Sequence, residues 1–141
     1  MAVVLPILFG MTLNIIKGYQ QLVAEAEKEI ETISVDDALK LHGSAEVVFV
    51  DLRDVRELTR EGFIPGAFHC PRGMLEFWID PGCIYFKDIF AGGKKFLFYC
   101  NLGWRSALAA QVSQQMGLGP VAHIDGGFDA WKQAGGPVEH K

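Results

Sequence analysis

Short, unbroken apolar runs punctuate the chain. Val47-Val48-Phe49-Val50 ends at Asp51, and a continuous run of this kind predicts a strand covered on both faces. Phe96-Leu97-Phe98-Tyr99 and Val121-Ala122-His123-Ile124 repeat the pattern. Between those two, residues 107–116 predict a helix closed by Gly117 and by Gly119-Pro120. After the turn Asp125-Gly126-Gly127, residues 128–134 predict a last helix. Nearer the start, Thr32-Ile33 predicts a short strand, and Ser34 caps a helix reaching about Leu41 and stopping near Gly43. Asp37, at the third position of that helix, can answer the cap. Pro65-Gly66 fits the second and third positions of a type II turn, and residues 68–71 read as a short edge strand. This alternation predicts an α/β domain built on a parallel sheet.

Residues 12–31 carry a different pattern. Ile15, Tyr19, Leu22, Ala26 and Ile30 recur at steps of three and four, while Glu25, Glu27, Lys28, Glu29 and Glu31 lie mostly off that stripe. The simplest reading is an amphipathic helix docked on its own domain; a homodimer contact or a lid is the alternative. Residues 1–16 are mostly apolar, with Lys17 the first charge. The segment is shorter than the roughly 20 residues of a spanning helix and is interrupted by Pro6, Gly10, Thr12 and Asn14. It lacks the basic start of a secretory signal. The simplest reading is an unstructured leader with Met11 as an alternative start, against a membrane anchor or export signal. Two parts result: residues 1–31, leader and helix, and residues 32–141, the domain. Within the domain, residues 72–83 hold Met74, Leu75, Phe77, Trp78 and Ile79 beside Pro81 and Gly82. They predict an irregular stretch that covers the domain or walls a pocket.

Composition narrows the classes. With 141 residues, half of them hydrophobic and 21% charged, the chain suits one globular domain. A formal net charge of −4 with no long Lys/Arg run gives no basis for nucleic-acid binding. The cysteines are Cys70, Cys83 and Cys100. An odd number at wide spacing suggests neither a disulfide framework nor a metal site. It fits a reducing compartment and hence the cytoplasm, although the apolar leader leaves membrane association or export open. His42, His69 and His140 form no ligand spacing, and His123 inside an apolar run reads as a core histidine rather than a base.

The candidate chemistry sits at Cys100, between a buried strand and a helix. Asn101, Leu102, Gly103 and Trp104 follow, then Arg105 and Ser106. The first N–H groups of a helix are unpartnered and carry partial positive charge, which favours a bound anion and a thiolate over a thiol. A free cysteine, with a pKa of about 8.5, needs such help to act as a nucleophile. If the N–H groups of residues 101–105 point inward they form a nest beside the sulfur, with Gly103 permitting the turn and Arg105 adding fixed positive charge. Asp51 and Arg53 lie at the carboxyl end of a predicted strand, the edge where α/β sheets bind ligands. Their first reading is an ion pair tying loops together. Cys70 and Cys83 read as small buried hydrophobes, with a resolving thiol for Cys100 as the alternative.

From about Ile33 to Glu139 the chain resembles the rhodanese family, through four matches in order. Val48-Phe49-Val50-Asp51-Leu52-Arg53 resembles the family's strand ending in Asp-x-Arg. Gly62-Phe63-Ile64-Pro65-Gly66-Ala67 resembles its Gly-His-Ile-Pro-Gly-Ala turn. Cys100 to Ser106 resembles the loop Cys-x-x-Gly-x-Arg-Ser. Asp125-Gly126-Gly127-Phe128-Asp129-Ala130-Trp131, with Gly135-Gly136-Pro137-Val138-Glu139, resembles its C-terminal signature. The resemblance implies a roughly five-stranded parallel sheet with helices on both faces, here with an added N-terminal helix. It also implies a sulfurtransferase in which Cys100 takes a sulfane sulfur from a small anion such as thiosulfate and becomes a persulfide. The sulfur then passes to cyanide, a small thiol or a protein thiol. Asn101, Leu102, Gly103, Trp104 and Arg105 would bind the donor, Asp51, Arg53 and Ser106 would support the loop, and no metal or organic cofactor is implied. Asn101 stands where the family often has Arg, and Phe63 where it usually has His. Related phosphatases place five residues between Cys and Arg, where this chain has four. Other members of the family serve as non-catalytic interaction modules, and these lack the cysteine.

Overall fold

The computed structural model describes residues 13–141. The proposed leader and the Met11 start therefore lie largely outside the described residues. Five strands form one sheet: β1 (Glu31–Ile33), β2 (Val47–Asp51), β3 (Phe68–His69), β4 (Lys95–Tyr99) and β5 (Val121–Ile124). All pairings are parallel, in the order β1-β5-β4-β2-β3. The expected α/β class and five-stranded parallel sheet are both present. From β2 the chain steps outward to β3, then returns to the other side of β2 as β4 and continues to β5 and β1's side. The carboxyl ends of β2 and β4, paired Asp51 to Tyr99, thus open onto the crevice where connections diverge.

Among the described residues six α-helices complete the fold: α1 (Tyr19–Glu29), α2 (Val35–Leu41), α3 (Val55–Glu61), α4 (Leu75–Ile79), α5 (Trp104–Met116) and α6 (Gly127–Gln133). Strand alternation sorts them. Val50, Phe96, Phe98 and Val121 point to one face and pack with Leu75 and Ile79 of α4 and Ala109 and Ala110 of α5. Phe49, Leu97, Tyr99, Ala122 and Ile124 point to the other, against Ala38 of α2 and Phe128 and Trp131 of α6. Burial on both faces is why β2, β4 and β5 are mostly apolar, with His123 the polar residue inside β5.

Local chemistry explains most boundaries. Ser34 Oγ accepts from Asp37 N at 3.1 Å and caps α2. Asp54 and Glu57 form a capping box at the start of α3. The Pro65-Gly66 turn is closed by Ala67 N donating to Ile64 O at 3.1 Å. Several boundaries differ from the sequence pattern, among them the edge strand expected over residues 68–71, which covers only Phe68–His69. The first helix starts at Tyr19, not near Thr12: residues 13–18 are non-helical, and Gly18, with extended backbone and no side chain to cap with, precedes the first turn. Glycine weakens a helix, and Ile16 is left three-quarters exposed. Residues 72–83 are not wholly irregular, since Leu75–Ile79 forms a helical turn whose Leu75 and Ile79 fill the core. The helix after Cys100 starts at Trp104 rather than Ala107. Within this chain α1 docks on α5: Ala26 is fully buried, and Gln111 and Gln114 donate to Glu29 at 2.9 Å each. Among the described residues no helix is long and apolar enough to cross a membrane.

Candidate active site

Cys100 follows the last residue of β4, and its side chain is buried. Its sulfur accepts from Gly103 N at 3.2 Å and from Ser106 N at 3.4 Å. The early start of α5 explains this convergence. Trp104, Arg105 and Ser106 form its first turn, where N–H groups have no helical acceptor. Gly103 leads in with φ of +106°, a left-handed conformation that glycine adopts without strain. The nest expected over residues 101–105 is therefore made by Gly103 and Ser106, one residue beyond the expected span.

The loop's carbonyl side is held from behind. Phe128 N donates to Cys100 O at 2.8 Å, and Asp129 N to Asn101 O at 3.1 Å. Gly127 makes this approach possible: a Cβ there would stand 2.5 Å from Cys100 O and 2.7 Å from Asn101 O. The start of α6 thus turns the loop's carbonyls outward and leaves its N–H groups facing the sulfur.

Asp51 and Arg53 meet in a buried ion pair. Arg53 Nε donates to Asp51 Oδ1 at 2.9 Å and Nη2 to Oδ2 at 2.8 Å. Nη2 also reaches Gly62 O at 2.8 Å, and the guanidinium lies over the Phe128 ring at 4.2 Å. Burial works against the Arg53 cation, but the Asp51 carboxylate more than offsets it and raises the guanidinium's pKa. The Tyr99 hydroxyl donates to Asp51 Oδ2 at 2.7 Å and accepts from Ile64 N at 3.2 Å. The pair touches the residue before Cys100 and not the sulfur itself.

Arg105 turns to α3. Its Nη1 and Nη2 donate to the two carboxylate oxygens of Glu57 at 2.9 and 3.0 Å. Arg105 in turn holds the Glu57 carboxyl below its ordinary range. The same Glu57 accepts from Asp54 N at 2.9 Å. Sequence reasoning passed over Glu57, which lay in a charged run with no local signal beyond the capping pattern.

Cys100, Asn101, Leu102, Trp104 and Arg105 line an opening of about 190 Å³. Leu102 and Trp104 are about half exposed and give its rim an apolar surface. Tyr19 of α1 packs on Trp104 with ring centroids 5.0 Å apart, so the N-terminal helix borders the mouth. A larger hollow of about 360 Å³ lies at the far end of α5, but Asp80 is its only ionisable lining residue. Behind the sulfur, Ser106 Oγ is 3.6 Å from Cys100 Sγ and 2.9 Å from His123 Nδ1. His123 is the buried, hydrogen-bonded histidine expected, and its connection toward Cys100 was not foreseen.

All three cysteines are free. Burial pushes the Cys70 thiol up to about 12, which suits a packed hydrophobe; Cys83 is half-buried. Among the described residues no cluster of His, Cys, Asp and Glu could hold a metal ion.

Comparison with known proteins agrees with this geometry. A solved protein from Rhodopseudomonas palustris, described as of unknown function and a possible tyrosine phosphatase, is 57% identical with a TM-score of 0.90. That match covers 92% of this chain and 100% of the other. A rhodanese-related protein from Thermoplasma volcanium is 25% identical with a TM-score of 0.65, over 79% of this chain and 99% of that one. A thiosulfate sulfurtransferase from Pseudomonas aeruginosa is 26% identical with a TM-score of 0.65, over 84% of this chain but 22% of that one. The family model for the rhodanese-like domain matches residues 34–134, a span holding the Asp51–Arg53 pair, the Cys100 loop and the glycines behind it. With that span covering most of the chain, this protein belongs to the rhodanese-like domain family.

Proposed function

We propose that this protein is a sulfurtransferase that carries a sulfane sulfur on Cys100. The observation that carries the reading is the convergence of the Gly103 and Ser106 N–H groups on the Cys100 sulfur. Those donors stabilise negative charge at the reacting atom without reorganisation. The Cys100 thiolate attacks the outer sulfur of a donor such as thiosulfate. A bond forms between Cys100 Sγ and that sulfur, the donor's sulfur–sulfur bond breaks, and sulfite leaves with the electron pair. The acceptor, cyanide or a thiolate, then attacks the outer sulfur and releases Cys100 as thiolate. Asn101, Leu102, Gly103, Trp104 and Arg105 bind the donor, with Arg105 as fixed positive charge. Asp51, Arg53 and Ser106 keep the loop in place. The half-exposed Leu102 and Trp104 favour an acceptor thiol with an apolar surface beside it.

A second reading is a cysteine-dependent phosphatase, favoured by the description of the similar Rhodopseudomonas palustris protein. Against it stand the four residues between Cys100 and Arg105, one fewer than in related phosphatases. A phosphate cradle needs inward N–H groups around a tetrahedral anion, whereas here they close on the sulfur itself.

Intact-mass spectrometry before and after thiosulfate separates the two. A gain of one sulfur, about 32 Da, removed by cyanide and absent in Cys100→Ser, is the expected result for an activated thiolate. No gain with thiosulfate, mercaptopyruvate or a persulfide donor, together with hydrolysis of an aryl phosphate, would overturn it.

A further inference from the structure

We propose that His123 is the internal proton acceptor for the Cys100 thiol, acting through the Ser106 hydroxyl. The inference rests on Cys100 acting as the nucleophile. Cys100 is 1% exposed, at the floor of its opening, and a route for its proton also runs through the protein. One continuous line of polar atoms leaves it. The thiol donates to Ser106 Oγ at 3.6 Å, and Ser106 Oγ lies 2.9 Å from His123 Nδ1. His123 Nε2 lies 3.0 Å from Thr32 Oγ1 and 3.5 Å from Glu27 Oε2 on α1. With the serine oxygen receiving the thiol hydrogen, its own hydrogen points at Nδ1. The ring hydrogen then sits on Nε2, facing Thr32 and Glu27.

The transfer balances without an outside reactant. The thiol hydrogen moves to Ser106 Oγ as the serine hydrogen moves to His123 Nδ1. Thiolate and imidazolium result, serine is unchanged, and nothing is oxidised. Burial lowers the pKa of His123, which keeps the ring neutral and its Nδ1 open but works against the imidazolium; Glu27 and Asp125 act in the opposite sense and favour the imidazolium. The other groups around it are Thr32 of β1, Ser106 of α5 and Cys100 at the end of β4; the charged residue beside Ser106, Arg105, is bound to Glu57. The N-terminal helix, through Glu27, thereby belongs to the site's electrostatics.

The test is a pH titration of thiolate ultraviolet absorbance, corrected with Cys100→Ser, in three variants. His123→Asn keeps an acceptor oxygen for the Ser106 hydroxyl but takes up no proton. Ser106→Ala cuts the line while keeping its backbone N–H on the sulfur. Glu27→Gln changes only an exposed partner. Thiolate formation is expected to move upward by about one pH unit in the first two, a roughly tenfold loss of thiolate at neutral pH. Glu27→Gln should move it the same way by less. A His123 that merely fills space would be rescued by asparagine. Wild-type titration in folded His123→Asn overturns the relay, and if that variant does not fold, wild-type titration in Ser106→Ala does so. The readout uses no sulfur donor, so a shifted titration in a protein that takes up no sulfur sustains the relay and removes only the sulfur-transfer reading.

Discussion

The phenol hydroxyl of Tyr99, the residue before Cys100, donates to Asp51 Oδ2 at 2.7 Å, and Asp51 is itself gripped by Arg53. The end of β4 is thus bound by side chains to the end of β2. Asp51→Asn is expected to destabilise the protein by about 3–5 kcal/mol, because it leaves the Arg53 cation buried and unpaired. Urea unfolding measures this; a loss under about 1 kcal/mol would mean the pair contributes little beyond packing.

Cys100→Ser should abolish sulfur uptake and leave the unfolding midpoint within about 1 kcal/mol of wild type, since a hydroxyl accepts the same two N–H groups. Mass spectrometry and thermal melting read the two parts separately. Sulfur retained by the variant on another cysteine would move the reaction off Cys100.

Gly127→Ala is expected to damage function more than stability. Its Cβ would press on Cys100 O and Asn101 O, and φ is +60°. Strain of about 1–3 kcal/mol is the scale for such a site, and a loop displaced by a fraction of an ångström no longer aims its N–H groups. Sulfur loading should fall at least about tenfold, as one lost oxyanion-type donor already costs more. Loading at the wild-type rate would show that the loop holds its shape without the contact.

Glu57→Gln removes the carboxylate that pairs with Arg105 and keeps an amide oxygen for the α3 capping box. Arg105 is partly exposed, so the expected loss is about 1 kcal/mol after solvent screening. The sign in pH follows from the lowered Glu57 pKa. Its stabilisation is present above the unfolded carboxyl value and is lost as pH falls through the folded one. The wild-type advantage over Glu57→Gln should therefore shrink on acidification, and chemical denaturation across pH would detect a flat difference instead.

His123 acts on stability in a neighbouring window. Its lowered pKa means that the folded state binds fewer protons than the unfolded chain. Stability is then full above the unfolded value of about 6.5 and declines as pH falls toward the folded value. In His123→Asn that part of the acid-side slope should vanish. An unchanged slope between wild type and variant would place the acid sensitivity in other groups.

The apolar runs at β2, β4 and β5, the Ser34 cap, the Pro65-Gly66 turn and the cysteine between strand and helix were all readable from the sequence. Each depends on residues within one turn or one strand. Asp51 and Arg53 were readable as a pair because they are two residues apart at a strand end. Where the pattern misled, a neighbour outranked local preference. Gly18 delayed α1, and the glycine at 103 let α5 begin at Trp104, three residues before the apolar periodicity suggested. Leu75 and Ile79 became helical because the core beneath them was open to fill.

By itself, then, the sequence determined the α/β class, the parallel sheet and the candidate nucleophile, since periodicity and loop chemistry act over short separations. Only the tertiary structure decided that Arg105 meets Glu57, 48 residues away, and that Gly127 backs the Cys100 loop. It likewise decided that Tyr99 reaches across to Asp51 and that Ser106 and Glu27 converge on His123. Those contacts follow from strand order and register: β4 sits between β2 and β5 and brings both carboxyl ends to one loop. Strand order arises from packing of the whole chain, and no local window contains it.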